Sequence, residues 1–479
     1  MPRKPGRGKH LLGVGCAEIL WQALFVEGGM PSASFAEHAV THAGNMPTQR
    51  RRGHATLATN RRCVRTVFWA GRICGATFAL ACLAVAASAE EAAPALSPAG
   101  AFSYAREHPA GYAGPGREAP EPLDLQEVLI GYLGPSGPSD PEGGDMWCAA
   151  QLAIEEANRE GGCRGKPFRL VPVWSDRSWS SAAPLVARMA YGDRVWAIVG
   201  GIDGPSTHLA EQVAAKARLV LINAAATDKT VNLANVPWMF SCVPGDHLLA
   251  PVLAAGISGR IGKKPFLLVS TDDHDAHLFA LELKKCLAER HVAPRHHIVC
   301  QRALRDVAEL AATVAGSKAE AVVLVAGAQD SARLVSAFRA AGFAGQIHGG
   351  PAMGRRRFVE EAGRAAEGVV FPLLYQPQAA PAGFARTFRV RFGRPPDFAA
   401  AYTYDAVRLV VAAIDRAGLN RARIGDAVRA LSPWTGVTGP MKWDPLGSNV
   451  RDVRLGTIRD GAVVPVEATD AACDAGGVR

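Results

Sequence analysis

The sequence predicts an α/β protein built as two doubly wound, parallel-sheet lobes. Three observations carry that expectation. Short runs rich in Val, Ile and Leu alternate with longer segments of helical period over most of residues 127–431. The alternation comes in two successive series, more than a single sheet and core ordinarily accommodate. Gly, Pro and Asn punctuate the junctions, as turns between strand and helix require.

The first series opens with Glu127–Leu133, an aliphatic run ended by Gly134-Pro135, which reads as a buried parallel strand. Asp145–Arg159 sets Met146, Ala149, Ala150, Ala153, Ile154 and Ala157 at helical spacing, and Gly161-Gly162 stops it. Phe168–Trp174 is the next strand, Ala182–Tyr191 a helix and Trp196–Val199 the third strand. Ser206–Ala217 follows as a helix and Leu219–Ile222 as a strand. The second series reads Phe266–Ser270 strand, Leu278–Arg290 helix, His297–Cys300 strand, Asp306–Ala315 helix, Ala321–Val325 strand and Ser331–Ala341 helix. Gln346–His348 and Val369–Phe371 are short strands. Helices at Phe384–Phe392, Asp397–Ala417 and Arg423–Leu431 precede a polar hairpin, Arg454–Ile458 and Val463–Pro465, turned by Asp460-Gly461.

Charge is unevenly placed. The formal net charge of the 479 residues is +9, yet residues 1–89 hold 11 Lys/Arg against 3 Asp/Glu, and the other 390 residues hold 42 against 41. The body is nearly neutral, so a basic nucleic-acid-binding surface is excluded as the source of the charge. The basic segment reads as an address. Arg61-Arg62-Cys63-Val64-Arg65 is followed by an apolar run from Ile73 to Ala87 and by Ala87-Ser88-Ala89 before Glu90-Glu91. A charged start, an apolar centre and an A-x-A site make a secretory signal peptide cut after Ala89. An uncut membrane anchor is the alternative, disfavoured because Ala and Gly dilute the run. Met46 heads a segment of ordinary signal length and reads as the start, and Arg61-Arg62 resembles a twin-arginine export signal, so the export route stays open. Residues 90–123, rich in Ala, Pro, Gly and Glu, read as a disordered linker, and 466–479 as a tail.

Six cysteines follow the leader: Cys148, Cys163, Cys242, Cys286, Cys300 and Cys473. No C-x-x-C occurs, so zinc-ribbon and thioredoxin chemistry have no support. Cys286–Cys300 is a candidate helix-to-strand disulfide. Cys148 and Cys163 bracket one helix, which holds them about 20 Å apart at 1.5 Å rise per residue, beyond bridging.

Four segments in order resemble the type I periplasmic binding fold of branched-chain amino acid (leucine/isoleucine/valine) solute-binding proteins of ABC transporters. They are Ile130-Gly131-Tyr132-Leu133-Gly134-Pro135 with Gly144-Asp145 and Ala153–Gly162; Val195–Gly200 followed by Ser206-Thr207; Ile222-Asn223-Ala224-Ala225-Ala226-Thr227; and Ala400-Ala401-Tyr402-Thr403-Tyr404-Asp405-Ala406. The likeness spans about residues 125–465. It implies lobes at 124–246 plus 380–434 and at 247–371 plus 435–465, joined by three hinge crossings near 245–250, 372–380 and 434–440. It also implies capture of a small molecule between the lobes, delivery to a membrane permease, a periplasmic location, and a monomer that binds no nucleic acid.

In an open parallel sheet the loops at the strand carboxyl ends line the ligand crevice. Ser206 and Thr207 sit where a helix begins, so their hydroxyls and free N–H groups suit a carboxylate. The resemblance adds Ala225 and Thr227 after the fourth strand, Asp246 at the first crossing, and His274 and Gln329 in the second lobe. The family's second-lobe glutamate falls near Pro351, with no acid beside it. The ammonium pocket is therefore not reproduced, and the expected ligand widens to an amino acid, an amide or a small carboxylate. Trp147 and Trp179 lie on cleft-side segments and suit either stacking on a ligand or lobe packing.

Rival chemistries are weaker. Asp272-Asp273-His274-Asp275-Ala276-His277 mixes metal-type donors, but carboxylates at a helix N-terminus read first as a solvated charge cluster. No metal and no cofactor are expected. No G-x-S-x-G or H-E-x-x-H occurs, so no enzyme is expected. A ligand sensor of the same fold, feeding a regulator or receptor, is the alternative function; the leader argues against a cytoplasmic one.

Overall fold

The computed structural model describes residues 112, 116–175, 179–301, 304, 306–376 and 382–467. The leader, its cleavage site and the tail from residue 468 lie outside these residues. Among the described residues, no helix is long and apolar enough to cross a membrane.

The first lobe is a five-stranded sheet: β1 (Val128–Leu133), β2 (Phe168–Val173), β3 (Ala197–Gly200), β4 (Val220–Asn223) and β5 (Met239–Ser241), in the order β2-β1-β3-β4-β5. Every neighbouring pair is parallel. β3 and β4 are buried along their whole length, which explains their continuous apolar sequence. Helices α1 (Gly144–Arg159), α2 (Trp179–Ala187) and α3 (Gly204–Ala217) connect the strands. A single π-turn, Arg188–Gly192, prolongs α2.

The second lobe carries seven strands: β6 (Phe266–Thr271), β7 (His296–Cys300), β8 (Ala321–Val325), β9 (Gln346–Gly349), β10 (Val370–Leu373), β13 (Arg454–Arg459) and β14 (Ala462–Pro465). Their order is β14-β13-β10-β9-β8-β6-β7, parallel except where the closing hairpin adds antiparallel strands. Its helices are α4 (Asp246–Ile261), α5 (His274–Ala288), α6 (Val307–Gly316), α7 (Ala328–Ala340) and the short α8 (Arg356–Ala362). The chain then returns to the first lobe as α9 (Ala382–Phe392), α10 (Phe398–Ala417) and α11 (Arg421–Ala430). α10 packs along α1. Both bury alanines (Ala149, Ala150 and Ala153 on one, Ala399, Ala400 and Ala406 on the other), whose short side chains permit close approach. Arg408 reaches Glu160 at 2.8 Å along the exposed edge of that seam.

The two doubly wound lobes are as expected, with three corrections of detail. The third crossing is not at 434–440. After the small ribbon β11 (Trp434–Gly436) and β12 (Gly439–Met441), the chain stays on the first lobe. Trp443 packs against Phe240 in a tilted arrangement with centroids 5.6 Å apart and donates to the Val428 carbonyl, and Ser448 bridges Ser241. The crossing follows this segment, just before β13, because Trp443 is an apolar anchor that the first lobe buries. The segment 116–123 is also not a free linker. The Asn420 amide donates to the carbonyls of Gly116, Arg117 and Ala119, Tyr112 packs on Trp238, and Arg117 pairs with Asp426 at 2.5 Å. Finally, Cys286 and Cys300 are both free thiols, so that disulfide is not formed.

Candidate functional site

A cavity of about 650 Å³ lies between the lobes. Loops after β1, β3 and β4 form one wall, and loops after β6, β8 and β9 form the other. These are the carboxyl ends of both parallel sheets, where an open α/β fold leaves room for a ligand.

The first-lobe wall is built on backbone constraints. Gly200 ends β3 at φ +135°, and a Cβ there would meet the Leu133 carbonyl at 2.1 Å, so this turn requires glycine. Asp203 caps α3, its Oδ1 accepting from the Ser206 N–H at 2.8 Å, with Pro205 in the first turn. Asn223 is fully buried at the end of β4. Its side-chain carbonyl accepts from the Ala225 and Ala226 N–H groups, and its amide donates to the Ala226 carbonyl at 2.7 Å. Asn223 thereby fixes the loop that carries Ala225 and Thr227.

The expected site residues divide. Ala225, Thr227, His274 and Gln329 line the cavity. Thr207 does not: it is fully buried, and its hydroxyl donates to the Asp203 carbonyl at 2.7 Å. The Ser206 hydroxyl turns to the same carbonyl at 3.3 Å, and Ser206 is not on the cavity wall. Both hydroxyls are absorbed by the first turn of α3. The N-terminus of that helix is closed from across the cleft, where Asp275 of the second lobe accepts from the Gly204 N–H at 3.0 Å. Asp246 also lies off the wall; it is buried at the first crossing, and burial pushes its carboxyl well up despite a side-chain hydrogen bond from Thr227. Trp147 packs on Tyr132 with centroids 5.0 Å apart, so it serves the core. The Trp179 side chain lies outside the described residues.

Sequence reasoning missed the charged groups of the cleft. Trp174, Asp140, Glu142 and Asp203 line it from the first lobe, and Arg333, Arg355 and Arg357 from the second. Arg355 is buried and crosses between lobes. Its Nε donates to Asp397 at 2.6 Å and its Nη2 to the Glu142 carbonyl at 2.6 Å. Burial opposes its charge, but Asp397 and Glu142 more than compensate, so Arg355 stays ionised. Arg357 donates through Nε to Glu361 at 2.6 Å, while its buried Nη1, 3.6 Å from Glu142, makes no hydrogen bond. Beside the cavity, Arg356 reaches Asp145 across the lobes at 2.7 Å.

A second cross-lobe cluster sits at the α3–α5 contact. Asp228, capping a short 3₁₀ turn, has a fully buried side chain. Its Oδ2 lies 2.9 Å from His274 Nε2 and 3.2 Å from His208 Nε2. Burial would depress His208, but Asp228 and Glu211 outweigh it and push the imidazole up to about 9. The two imidazoles hold Asp228 low against its burial, and burial pushes Asp275 up to about 7. Of the acidic segment read from sequence, Asp273 caps α5, Asp275 closes α3, and only His274 joins this cluster.

Comparisons with known proteins agree with the architecture. Residues 127–462 match the model of a family described as periplasmic binding protein. The structure resembles the branched-chain amino acid transporter substrate-binding protein LivJ from Streptococcus pneumoniae in complex with isoleucine, at 23% identity and a TM-score of 0.64, covering 70% of this chain and 97% of that one. It resembles the leucine-binding protein LivK from Thermotoga maritima at 20% identity and a TM-score of 0.65, covering 71% and 98%. It also resembles a solute-binding protein of an ABC transporter from Rhodopseudomonas palustris in complex with benzoate, at 18% identity and a TM-score of 0.64, covering 71% and 95%. No curated protein sequence matches the chain. With two lobes of the expected topology, a cleft at their strand ends and a family match across nearly the whole described body, the chain belongs to the periplasmic binding protein family.

Proposed function

We propose that this chain is an extracytoplasmic solute-binding protein that captures a small polar ligand, an amino acid, amide or small carboxylate, between its lobes and delivers it to the permease of an ABC importer. The observation that carries the reading is the cavity of about 650 Å³ bounded by strand-end loops of both lobes. That volume suits a small molecule. The neighbours crystallised with isoleucine and with benzoate share a carboxylate in their ligands.

The chemistry of the walls supports a carboxylate handle. Arg333, Arg355 and Arg357 put cationic side chains on the second-lobe wall of the cavity. Thr227 and Gln329 offer neutral polar groups, and Trp174 and Phe398 an apolar face. Acids on the first-lobe wall, Glu142 and Asp203, suit a hydrogen-bond donor or cation on the ligand's other end. The end of α3 is held by Asp275, so the carboxylate goes to the arginine side of the cleft. Lobe closure removes water and strengthens every such contact. No catalytic step is assigned to these residues. Export follows from the leader, with the mature chain starting at Glu90, acting as a periplasmic monomer and binding no nucleic acid.

Mass spectrometry of the compound that co-purifies with the chain, followed by a thermal-shift screen of amino acids, amides and carboxylates, tests this reading. A compound from these classes that raises the melting temperature supports it. A ligand from none of them, or none at all, overturns it. N-terminal sequencing of protein recovered from the periplasm reads Glu90 first if the address is correct.

A further inference from the structure

We propose that His208, Asp228 and His274 form a binding site for a zinc-type divalent cation that ties the two lobes together. The three donor atoms lie within 4.8 Å of one another. Asp228 Oδ2 is 3.2 Å from one imidazole nitrogen and 2.9 Å from the other. Tetrahedral zinc with ligand bonds of about 2.0–2.1 Å sets its donors roughly 3.4 Å apart, so two edges of the site are already near their length. The remaining edge, within 4.8 Å, closes by a movement of His274 about its contact with Asp228, for which its 42% exposed side chain has room.

The donor set selects the ion class. Two imidazoles and one carboxylate suit zinc and its borderline neighbours, whereas calcium takes six to eight oxygens and magnesium a near-octahedral oxygen shell. The supporting groups point the same way. Asp228 Oδ1 accepts from the Thr230 N–H at 2.8 Å and from its hydroxyl at 2.7 Å, which fixes the carboxylate with Oδ2 toward the imidazoles; the same hydroxyl lies 2.8 Å from His208 Nε2, a contact that a bound cation would replace. Glu211 Oε2 stands 3.5 Å from His208 Nδ1, the arrangement in which a second carboxylate orients a metal-bound histidine. Its other oxygen is buried without a hydrogen-bond partner.

The site is divided between lobes. His208 and Asp228 belong to the first and are held in place; His274, in the first turn of α5, belongs to the second. The three ligands meet only when the lobes do, so the cation favours the closed form. His274 also lines the cavity, which leaves the fourth coordination position open to water or to a ligand oxygen. On binding, the cation replaces the protons that the imidazoles otherwise share with Asp228. The inference stands on these residues and not on the identity of the transported solute.

The test is calorimetric titration of zinc chloride into the untagged, chelator-treated chain, with cobalt(II) absorption as a second readout. One zinc per chain, with visible cobalt bands of four- or five-coordinate intensity, is expected. His274→Ala, at a half-exposed position that spares folding, should weaken zinc binding roughly 100-fold, and Asp228→Asn should do the same. His277→Ala, exposed on the same helix, should change it less than about twofold. Absence of stoichiometric zinc binding in the wild-type chain overturns the proposal. So does an affinity that survives His274→Ala unchanged, which would place the metal on other histidines.

Discussion

Replacing Arg355 by Met removes a charge that the structure uses to join the lobes. Arg355 comes from the turn after β9, and its partner Asp397 caps α10 on the other lobe; they meet at 2.6 Å with side chains 9% and 3% exposed. Exposed pairs contribute less than about 1 kcal/mol, but breaking a buried pair strands the remaining charge and costs about 3–5 kcal/mol. In Arg355→Met, Asp397 still accepts from the Ala400 N–H at 3.0 Å and the Arg356 N–H at 3.3 Å, which keeps the cost near the lower figure, about 3 kcal/mol. Asp397→Asn preserves the cap, since Asn caps helices as well as Asp, and takes from Arg355 its buried carboxylate, leaving the Glu142 carbonyl as its acceptor. The double variant should cost less than the two single variants added together, because neither charge then lacks a partner. Urea denaturation of the four proteins, followed by circular dichroism, measures the cycle. Single variants costing below about 1 kcal/mol, or strictly additive costs, would refute the claim that this pair is a desolvated bridge.

Two further outcomes follow from the same geometry. Burial, with the Arg260 charge adding to it, pushes His348 down to about 3, so the native state excludes a proton that the unfolded chain binds below its ordinary value of 6.5. Stability is then complete above pH 6.5 and is lost as pH falls toward 3, by roughly 2 kcal/mol at pH 5; His348→Asn should remove that part of the difference between urea curves at pH 7 and 5, and an unchanged difference would show that His348 does not cause it. Asp275→Ala releases the N-terminus of α3 from the second lobe, so small-angle scattering of the ligand-free chain should give a larger radius of gyration; an unchanged radius would show that this contact does not help hold the lobes together.

The parts legible in the sequence are those with local causes. β1, β3, β8 and α10 declare themselves through continuous apolar runs or helical period, and their bounds are right to within a residue or two. β5, with three residues, and α8, with seven, are too short for any period to show. The third crossing lies later than the sequence suggests because nothing local says that Trp443 is claimed by Phe240 of the first lobe. At the site, Thr227, His274 and Gln329 come from the family resemblance, and all three lie on the cavity wall. Ser206 and Thr207 follow from their place at the start of a helix and lie off the wall, because helix hydroxyls are readily taken by the preceding turn, here by the Asp203 carbonyl. The cluster of His208, Asp228 and His274 is invisible in sequence: its members are separated by 20 and 46 residues and meet only through lobe packing. Arg355 and Arg357 lay in a basic run that reads equally as a solvated face.

The central claim is capture of a solute in the cleft. Calorimetric titration of the compound identified by mass spectrometry, into the wild-type chain, Thr227→Val and Arg357→Met, tests it most directly. A hydrogen bond from a charged donor contributes about 1.5–3 kcal/mol, so Arg357→Met should weaken binding by at least about tenfold. Thr227→Val, at a neutral contact of about 1 kcal/mol, should weaken it about fivefold. Affinity unchanged in both variants would contradict the account and place the ligand elsewhere.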